Sequence, residues 1–131
     1  MAGTFKFELV SPERVLLSGD AEQVLVPGAD GDFTVFAGHA PVISIVRPGI
    51  IDARLAGGKT ARIYIKGGFA EVQPDHLTIL AERAIDVAAL DSATLAREIK
   101  SAEDALASAK DDEARFVASN AVASLKSLSA A

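Results

Sequence analysis

Apolar side chains recur at every second position through much of the first 84 residues. Phe5, Phe7 and Leu9 show this spacing, and Ile63 and Ile65 repeat it. A period of two puts alternate side chains on opposite faces of a strand, so these segments are predicted to be half-buried β-strands. Turn-forming residues interrupt them at intervals typical of an antiparallel sandwich. The interruptions are Ser11-Pro12, Ser18-Gly19-Asp20, Pro27-Gly28, Asp30-Gly31-Asp32, Pro48-Gly49, Gly57-Gly58, Gly67-Gly68 and Pro74-Asp75.

The Gly57-Gly58 pair lies between two apolar runs, residues 50–55 and 61–65. Glycine has no Cβ and adopts positive φ angles without a steric penalty. Hairpin turns between twisted strands need such angles. The pair is therefore predicted to join two antiparallel strands.

After Ala84 the chain changes character, because proline and glycine are absent from residues 85–131. Asp91 or Ser92 is predicted to cap a helix, since a short side-chain oxygen accepts hydrogen bonds from first-turn amides. Apolar residues then recur at steps of four and three, which predicts two helices that turn near Lys110-Asp111-Asp112. The two stripes are Leu95, Ile99, Ala102 and Leu106, and then Ala114, Ala118, Ala121, Leu125 and Leu128.

The predicted fold class is therefore α+β, with an N-terminal antiparallel β-sandwich over residues 1–84 and a C-terminal antiparallel two-helix hairpin over residues 85–131. The hairpin offers few large aliphatic side chains for burial, each worth about 1.5–3 kcal/mol. Ordering its backbone costs about 1–2 kcal/mol per residue. We expect the hairpin to depend on docking to the sandwich or to a partner, which makes it a mobile regulatory element.

Composition excludes several classes of function. The net charge of −5 disfavours a nucleic-acid binder, which needs a basic face to displace counterions from phosphates. The absence of cysteine removes disulfides and thiolate metal sites. No run of about 18 apolar residues occurs, so other proteins would hold the chain at any membrane where it works. The helical segment has more acidic than basic residues, which favours a protein partner over a lipid surface.

No catalytic or cofactor motif stands out. A histidine zinc site would need His39 and His76 to converge with an aspartate, and their spacing gives no sign of it. No serine lies in a nucleophile motif. Asp30-Gly31-Asp32 is more typical of a tight turn than of a catalytic carboxylate pair. A strand rather than a helix follows Gly67-Gly68, so no phosphate-binding loop is predicted. We therefore predict no catalytic residue, no metal and no cofactor.

The ordered motifs resemble one family, the epsilon subunit of bacterial F-type ATP synthases, called delta in mitochondria. Each motif is weak alone, but their order and spacing span the chain and a helical hairpin follows. The motifs are Phe7-Glu8-Leu9-Val10-Ser11-Pro12-Glu13, Leu17-Ser18-Gly19, Pro27-Gly28-Ala29-Asp30-Gly31-Asp32-Phe33, Gly38-His39-Ala40-Pro41, Pro48-Gly49, Gly67-Gly68-Phe69-Ala70-Glu71-Val72 and Leu77-Thr78-Ile79-Leu80.

The resemblance implies a non-catalytic rotor subunit that couples proton-driven rotation of the membrane c-ring to ATP synthesis on other subunits. Its sandwich would bind the gamma subunit and rest on the c-ring, and its hairpin would reach the alpha and beta subunits. The protein would lie at the cytoplasmic face of the bacterial inner membrane, peripherally and through the complex. The residues implied to contact the c-ring are Asp30, Gly31, Asp32, His39, Ala40 and Pro41.

Some members of this family bind ATP in the hairpin through a Leu-Asp-x-x-Arg-Ala motif. The matching stretch here begins with Leu90 and Asp91, but Thr94 replaces the arginine and Leu95 replaces the alanine. The guanidinium that would pair with phosphate is missing, so the ATP motif is degenerate. The second helix also has only Arg115 and Lys126 as cations, so the resemblance implies weakened regulation of ATP hydrolysis.

Two other functions compete with the rotor subunit. A stand-alone β-sandwich that binds a small ligand or sugar would want surface aromatics, but Trp is absent and Tyr64 is the single tyrosine. A small metal-dependent enzyme would use His39 and His76. Binding to gamma favours the rotor subunit, a ligand-induced thermal shift favours the binding module, and bound metal favours the enzyme.

Overall fold

A computed structural model describes residues 3–129 of the chain. The predicted units begin at residue 1 and end at residue 131, so their outermost positions, 1, 2, 130 and 131, lie outside the described residues. The division at 84/85 into independently folding units stays a prediction.

Nine strands and two α-helices form in residues 3–129, with short 3-10 turns at Ala56–Gly58 and Val87–Ala89. The β-sandwich and the helical pair confirm the predicted α+β class. The elements are β1 (Phe5–Val10), β2 (Val15–Gly28), β3 (Gly31–Phe36), β4 (Val42–Val46), β5 (Gly49–Leu55), β6 (Thr60–Ile65), β7 (Gly68–Val72), β8 (His76–Ala81), β9 (Ala84–Asp86), α1 (Ser92–Ala107) and α2 (Asp112–Ser129).

Strand β2 belongs to both layers of the sandwich. Its first half pairs with β1, while its second half pairs with β3 and β5, and a register irregularity lies between Ala21 and Gln23. One layer therefore runs β4-β7-β8-β1-β2, and the other runs β3-β2-β5-β6-β9. The core between them is aliphatic and aromatic, with Phe7, Leu9, Ile51 and Ile79 among its fully buried members.

The structure corrects three details of the sequence prediction. Ser18-Gly19-Asp20 was predicted as a turn, but it lies inside β2, where Gly19 pairs with Phe7. Pairing with β1 satisfies these backbone groups, and this outweighs the local turn preference. The predicted antiparallel arrangement has one exception, because β1 and β8 pair in parallel. Ala84–Asp86 is a strand paired with β6 rather than the start of the helical segment.

Other local predictions are confirmed. Gly57 and Gly58 have φ values of 84° and 80° between the antiparallel strands β5 and β6. Asp91 is the cap of α1, because its carboxylate accepts a hydrogen bond from the Thr94 amide at 2.7 Å. Asp111 serves α2 in the same way through the Ala114 amide, also at 2.7 Å. These contacts satisfy donors that have no partner within the helices.

Candidate functional site

One layer of the sandwich exposes a continuous row of large apolar side chains. Register aligns Ile45 with Phe69, Phe69 with Leu80, Leu80 with Val10, and Val10 with Val15. Four of these five side chains are between 45% and 61% exposed, and Val10 is half-buried. We call Val15, Val10, Leu80, Phe69 and Ile45 the apolar row. An exposed apolar strip of this kind marks an interaction surface.

A polar row runs beside the apolar row on the same face. Its members, in register across four strands, are Glu71, Thr78, Glu8 and Ser18. Ile43 begins this row on β4, opposite Glu71, and is 74% exposed. A partner fitted to this face would present apolar side chains flanked by donors or cations, because the row offers two carboxylates.

The predicted c-ring residues lie in two turns at opposite ends of β3. Asp30 lies in the turn between β2 and β3, and Gly31, the first residue of β3, has a φ of 136° that favours glycine. His39, Ala40 and Pro41 follow the end of β3. The His39 ring lies 6.5 Å from the Phe33 ring, centroid to centroid, and its Nδ1 lies 2.8 Å from the Ala40 carbonyl oxygen.

Asp32 is bound within the chain by an arginine that the sequence analysis did not identify. The Arg47 guanidinium lies 2.7 Å from the Asp32 carboxylate and donates to the Gly28 carbonyl at 2.9 Å. Its Nε also donates to Asn120 of α2 at 3.2 Å. Arg47 therefore links the Asp30-Gly31 turn to the second helix. The separation of 73 positions between Arg47 and Asn120 explains why no local pattern indicated the contact.

A buried carboxylate docks the first helix on the sandwich. Glu98 is 8% exposed, and its carboxylate lies 2.9 Å from Arg83 and 3.6 Å from Lys66. A buried carboxylate is costly unless cations and hydrogen-bond donors surround it. The Glu98 cluster, meaning Glu98, Arg83 and Lys66, therefore ties α1 to the end of β6 and to the β8–β9 connection. Sequence analysis missed it, because Glu98 looks like any solvated charge on a polar helix.

Tyr64 lies beside this cluster and is fully buried. Burial raises its pKa to about 12, the Glu98 carboxylate adds to the rise, and Arg83 opposes it. Its hydroxyl and one Glu98 oxygen have no hydrogen-bond partner among residues 3–129. A buried hydroxyl in that state costs stability unless water reaches it.

The degenerate ATP motif spans the start of α1. Leu90 precedes the Asp91 cap, and the Thr94 hydroxyl accepts a hydrogen bond from Arg97 at 3.2 Å. Hydrogen bonds from Thr94 lower the pKa of Asp91. Leu95 is half-buried. The Asp91 carboxylate is thus engaged in capping α1, and the absence of ATP binding stays a prediction.

Neither a metal-binding cluster nor a membrane-spanning helix is present within residues 3–129. No group of three or more histidine, aspartate or glutamate side chains there is arranged to hold a metal ion. His76 instead contacts its neighbour Asp75 at 2.8 Å. Neither α-helix in this part of the chain is both long and apolar enough to cross a bilayer.

Comparisons with known proteins identify the family. Residues 4–87 match the family described as "ATP synthase, Delta/Epsilon chain, beta-sandwich domain". The chain is 47% identical to an ATP synthase epsilon chain of Mesorhizobium japonicum, with 100% of this chain and 97% of the relative covered. It is 48% identical to the one of Parvibaculum lavamentivorans, over 98% of this chain and 97% of the relative.

Two solved assemblies contain chains of the same fold. A chain in the mitochondrial ATP synthase of Euglena gracilis (OSCP/F1/c-ring) aligns with a TM-score of 0.75 and 23% identity over 97% of this chain and 80% of that one. A chain in the central stalk/c-ring of the Tetrahymena thermophila mitochondrial ATP synthase aligns with a TM-score of 0.66 and 11% identity, over 96% of this chain and 96% of that one. Because residues 4–87 match the family and the relatives align over nearly their full length, this chain belongs to the ATP synthase delta/epsilon chain family.

Proposed function

We propose that the chain is a non-catalytic central-stalk subunit that couples proton-driven c-ring rotation to ATP synthesis on other subunits. The apolar row carries the proposal, because its side chains lie exposed on a rigid sheet. Family membership supports gamma as the protein that covers this row. Each side chain in the row is already partly buried, so covering it contributes only part of the roughly 1.5–3 kcal/mol of full burial, and a stable contact requires several of them together.

The two turns at the ends of β3 are the proposed c-ring contacts. Asp30 and Asp32 supply carboxylates, and His39 with Ala40 and Pro41 supplies a second, less charged patch. Asp32 already pairs with Arg47, so Asp30 is the freer carboxylate of the two for a basic ring loop. Exposed ion pairs contribute about 0–1 kcal/mol, so these turns would orient the rotor more than hold it.

Cysteine cross-linking tests the ring contact directly, because the native chain has no cysteine. Cysteines at Asp30 and at Ala40 are expected to form disulfides with a cysteine placed in the polar loop of the ring subunit. A cysteine at Glu13, in the exposed turn between β1 and β2, is the control. Equal yields from Glu13 and from both turns would contradict the proposed contact.

The hairpin is proposed to reach the alpha and beta subunits only weakly and to bind no ATP. The absence of arginine at Thr94 removes the expected phosphate ligand, and α2 carries few cations for the acidic surfaces of other subunits. The complex would hold the chain peripherally at the cytoplasmic face of the bacterial inner membrane. Fractionation of membranes with and without the other stalk subunits tests that location.

Binding to purified gamma tests the main proposal. Phe69→Ser and Leu80→Ser each remove an exposed apolar side chain from the row, and each is expected to weaken binding at least tenfold. Phe36→Ser is the matched control, because Phe36 is 47% exposed but lies outside the row. If the native chain has no affinity for gamma, the proposal is wrong, and the ligand-binding sandwich becomes the better hypothesis.

A further inference from the structure

A groove of about 420 Å³ separates the sandwich from the N-terminal half of α2. Ile45 and Phe69, both in the apolar row, line its sandwich side. Phe116 and Val117 line its helical side and are 44% and 41% exposed. The apolar row therefore does not end at β4 but continues across the groove onto the hairpin.

The docking contacts of α2 explain why the groove stays open. Leu125 is fully buried, and Ser124 donates to the Pro48 carbonyl at 3.4 Å, so the C-terminal half of the helix packs closely. Nearer the N-terminus, Asn120 is held through Arg47. One turn earlier, Phe116 extends beyond these contacts and is left without a cover.

Charge at the groove indicates what would fill it. Glu82 of the sandwich and Glu113 of α2 line opposite sides, and both are exposed. Neither forms an ion pair within residues 3–129, whereas the cations Arg47 and Lys66, which also line the groove, pair with Asp32 and Glu98. The groove thus combines exposed apolar walls with two uncompensated carboxylates, which complements an apolar segment that carries a lysine or arginine.

We propose that the subunit covering the apolar row also fills this groove, with apolar side chains against Phe69 and Phe116 and a cation between Glu82 and Glu113. The proposal rests on the proposed function, which assigns gamma to the row. It adds that gamma contacts the sandwich and the docked hairpin together. Undocking of α2 would remove one wall of the groove.

A coupling follows from this geometry. A partner that binds the docked hairpin better than the undocked one shifts the population toward docking, by a factor set by its difference in affinity. Reciprocally, variants that undock the hairpin weaken partner binding. The hairpin would therefore be held closed by the assembled stalk in addition to its own contacts with the sandwich.

Binding of purified gamma to the full chain tests the groove. Phe116→Ser and Glu113→Lys are each expected to raise the Kd about fivefold to tenfold, while Phe36→Ser leaves it unchanged. Circular dichroism at 222 nm confirms that the helices remain. Glu113→Lys provides the second variant, because this side chain is exposed and its replacement removes no packing. A cation in the first turn opposes the helix dipole, so Asp112→Lys, in the same turn but outside the groove lining, is its control.

The outcomes separate this inference from the proposed function. If Leu80→Ser weakens binding but both groove variants bind like the native chain, the groove inference is overturned and the apolar row stands. If the native chain does not bind gamma, the proposed function fails first and the groove assignment fails with it. Weakening by Leu80→Ser and by both groove variants supports the two together.

Hairpin docking gives a second readout. Cysteines at Asp52 of β5 and Lys110 between the helices are both exposed and allow paired labels for distance measurement. Gamma is expected to increase the docked, short-distance population, and Phe116→Ser is expected to reduce that increase. A gamma-induced shift to longer distances, or no shift, would overturn the coupling.

Discussion

The sandwich and the hairpin are held in place by different kinds of contact. The sandwich encloses a core of buried apolar residues contributed by both layers. In α1 the one buried residue is the charged Glu98, and α2 buries two alanines and Leu125. Apolar burial stabilises a unit directly, whereas a buried ion cluster adds little net stability and depends on every partner.

Because of this difference, the sandwich is expected to keep its shape while the hairpin can change its position. A core of interlocking side chains gives the apolar row a fixed shape, which a torque-bearing contact needs. The hairpin docks through fewer apolar contacts, chiefly Leu125, together with polar contacts such as the Arg47–Asn120 bridge and the Glu98 cluster, so its release is expected to cost less than unfolding of the sandwich. Helical ellipticity comes mainly from the hairpin. Tyr64 is the single tyrosine and lies in the sandwich beside Glu98 of α1, so its fluorescence follows unfolding of the sandwich and also senses docking of α1.

Matched deletions of two fully buried side chains give the largest expected contrast. Phe7→Ala creates a cavity in the sandwich and is expected to lower the free energy of unfolding by about 3–5 kcal/mol. Leu125→Ala is expected to undock α2 while the sandwich remains folded. Denaturation followed by Tyr64 fluorescence and by ellipticity at 222 nm measures both. A single shared transition for Leu125→Ala, destabilised as much as Phe7→Ala, would contradict the division into two units.

Alkaline titration gives the next largest effect. The pKa of Tyr64 is about 12 in the folded chain against an ordinary value of 10.0, so folding favours the neutral phenol. The neutral phenol therefore contributes its full stabilisation below pH 10. This contribution, about 2–3 kcal/mol, is lost as pH rises from 10 toward 12. Lysines titrate in the same range, so the measurement is the difference between the native chain and Tyr64→Phe. Equal alkaline loss in the two would show that the phenol is not responsible.

Sequence patterns predicted the features of the fold that depend on neighbouring residues, but not those that depend on distant strands. Alternation located the strands, and glycine placed the β5–β6 turn, because both depend on neighbours in the chain. The parallel β1–β8 pair and the passage of β2 through Ser18-Gly19-Asp20 depend on distant strands, and local preferences cannot reveal them.

The site shows the same limit. Turn chemistry indicated the turn at Asp30, the turn-like setting of His39 and the cap at Asp91, whereas the c-ring role of the two turns was implied by the family resemblance and stays a prediction. The apolar row required the register of five strands, and the Glu98 cluster required contacts across more than one element. An exposed Phe69 and a core phenylalanine look alike in sequence, because period two says which residues share a face but not which face is buried.

The Glu98 cluster allows a smaller and directional test of docking. Arg83→Gln leaves the buried carboxylate with Lys66 alone at 3.6 Å and is expected to weaken docking by about 1–2 kcal/mol, since Arg83 is itself half exposed. Glu98→Gln is expected to cost less, because the two cations can turn toward water. Hydrogen exchange of the α1 amides measures docking. A larger loss in Glu98→Gln than in Arg83→Gln would reverse the assignment of the buried group.

Removal of the hairpin is expected to change ATP hydrolysis least. Ending the chain after residue 88 keeps β9 and its pairing with β6, so the sandwich and the apolar row are retained. ATPase activity of the assembled catalytic complex with the truncated chain is expected to stay within about twofold of that with the full chain, because Thr94 replaces the motif arginine and α2 offers few cations to acidic partners. Gamma affinity should nevertheless fall, since the Phe116 wall is lost. A large rise in hydrolysis would mean that the hairpin inhibits through contacts other than charge. Phe116 would then be the first residue to examine, because it joins the hairpin to the proposed gamma surface.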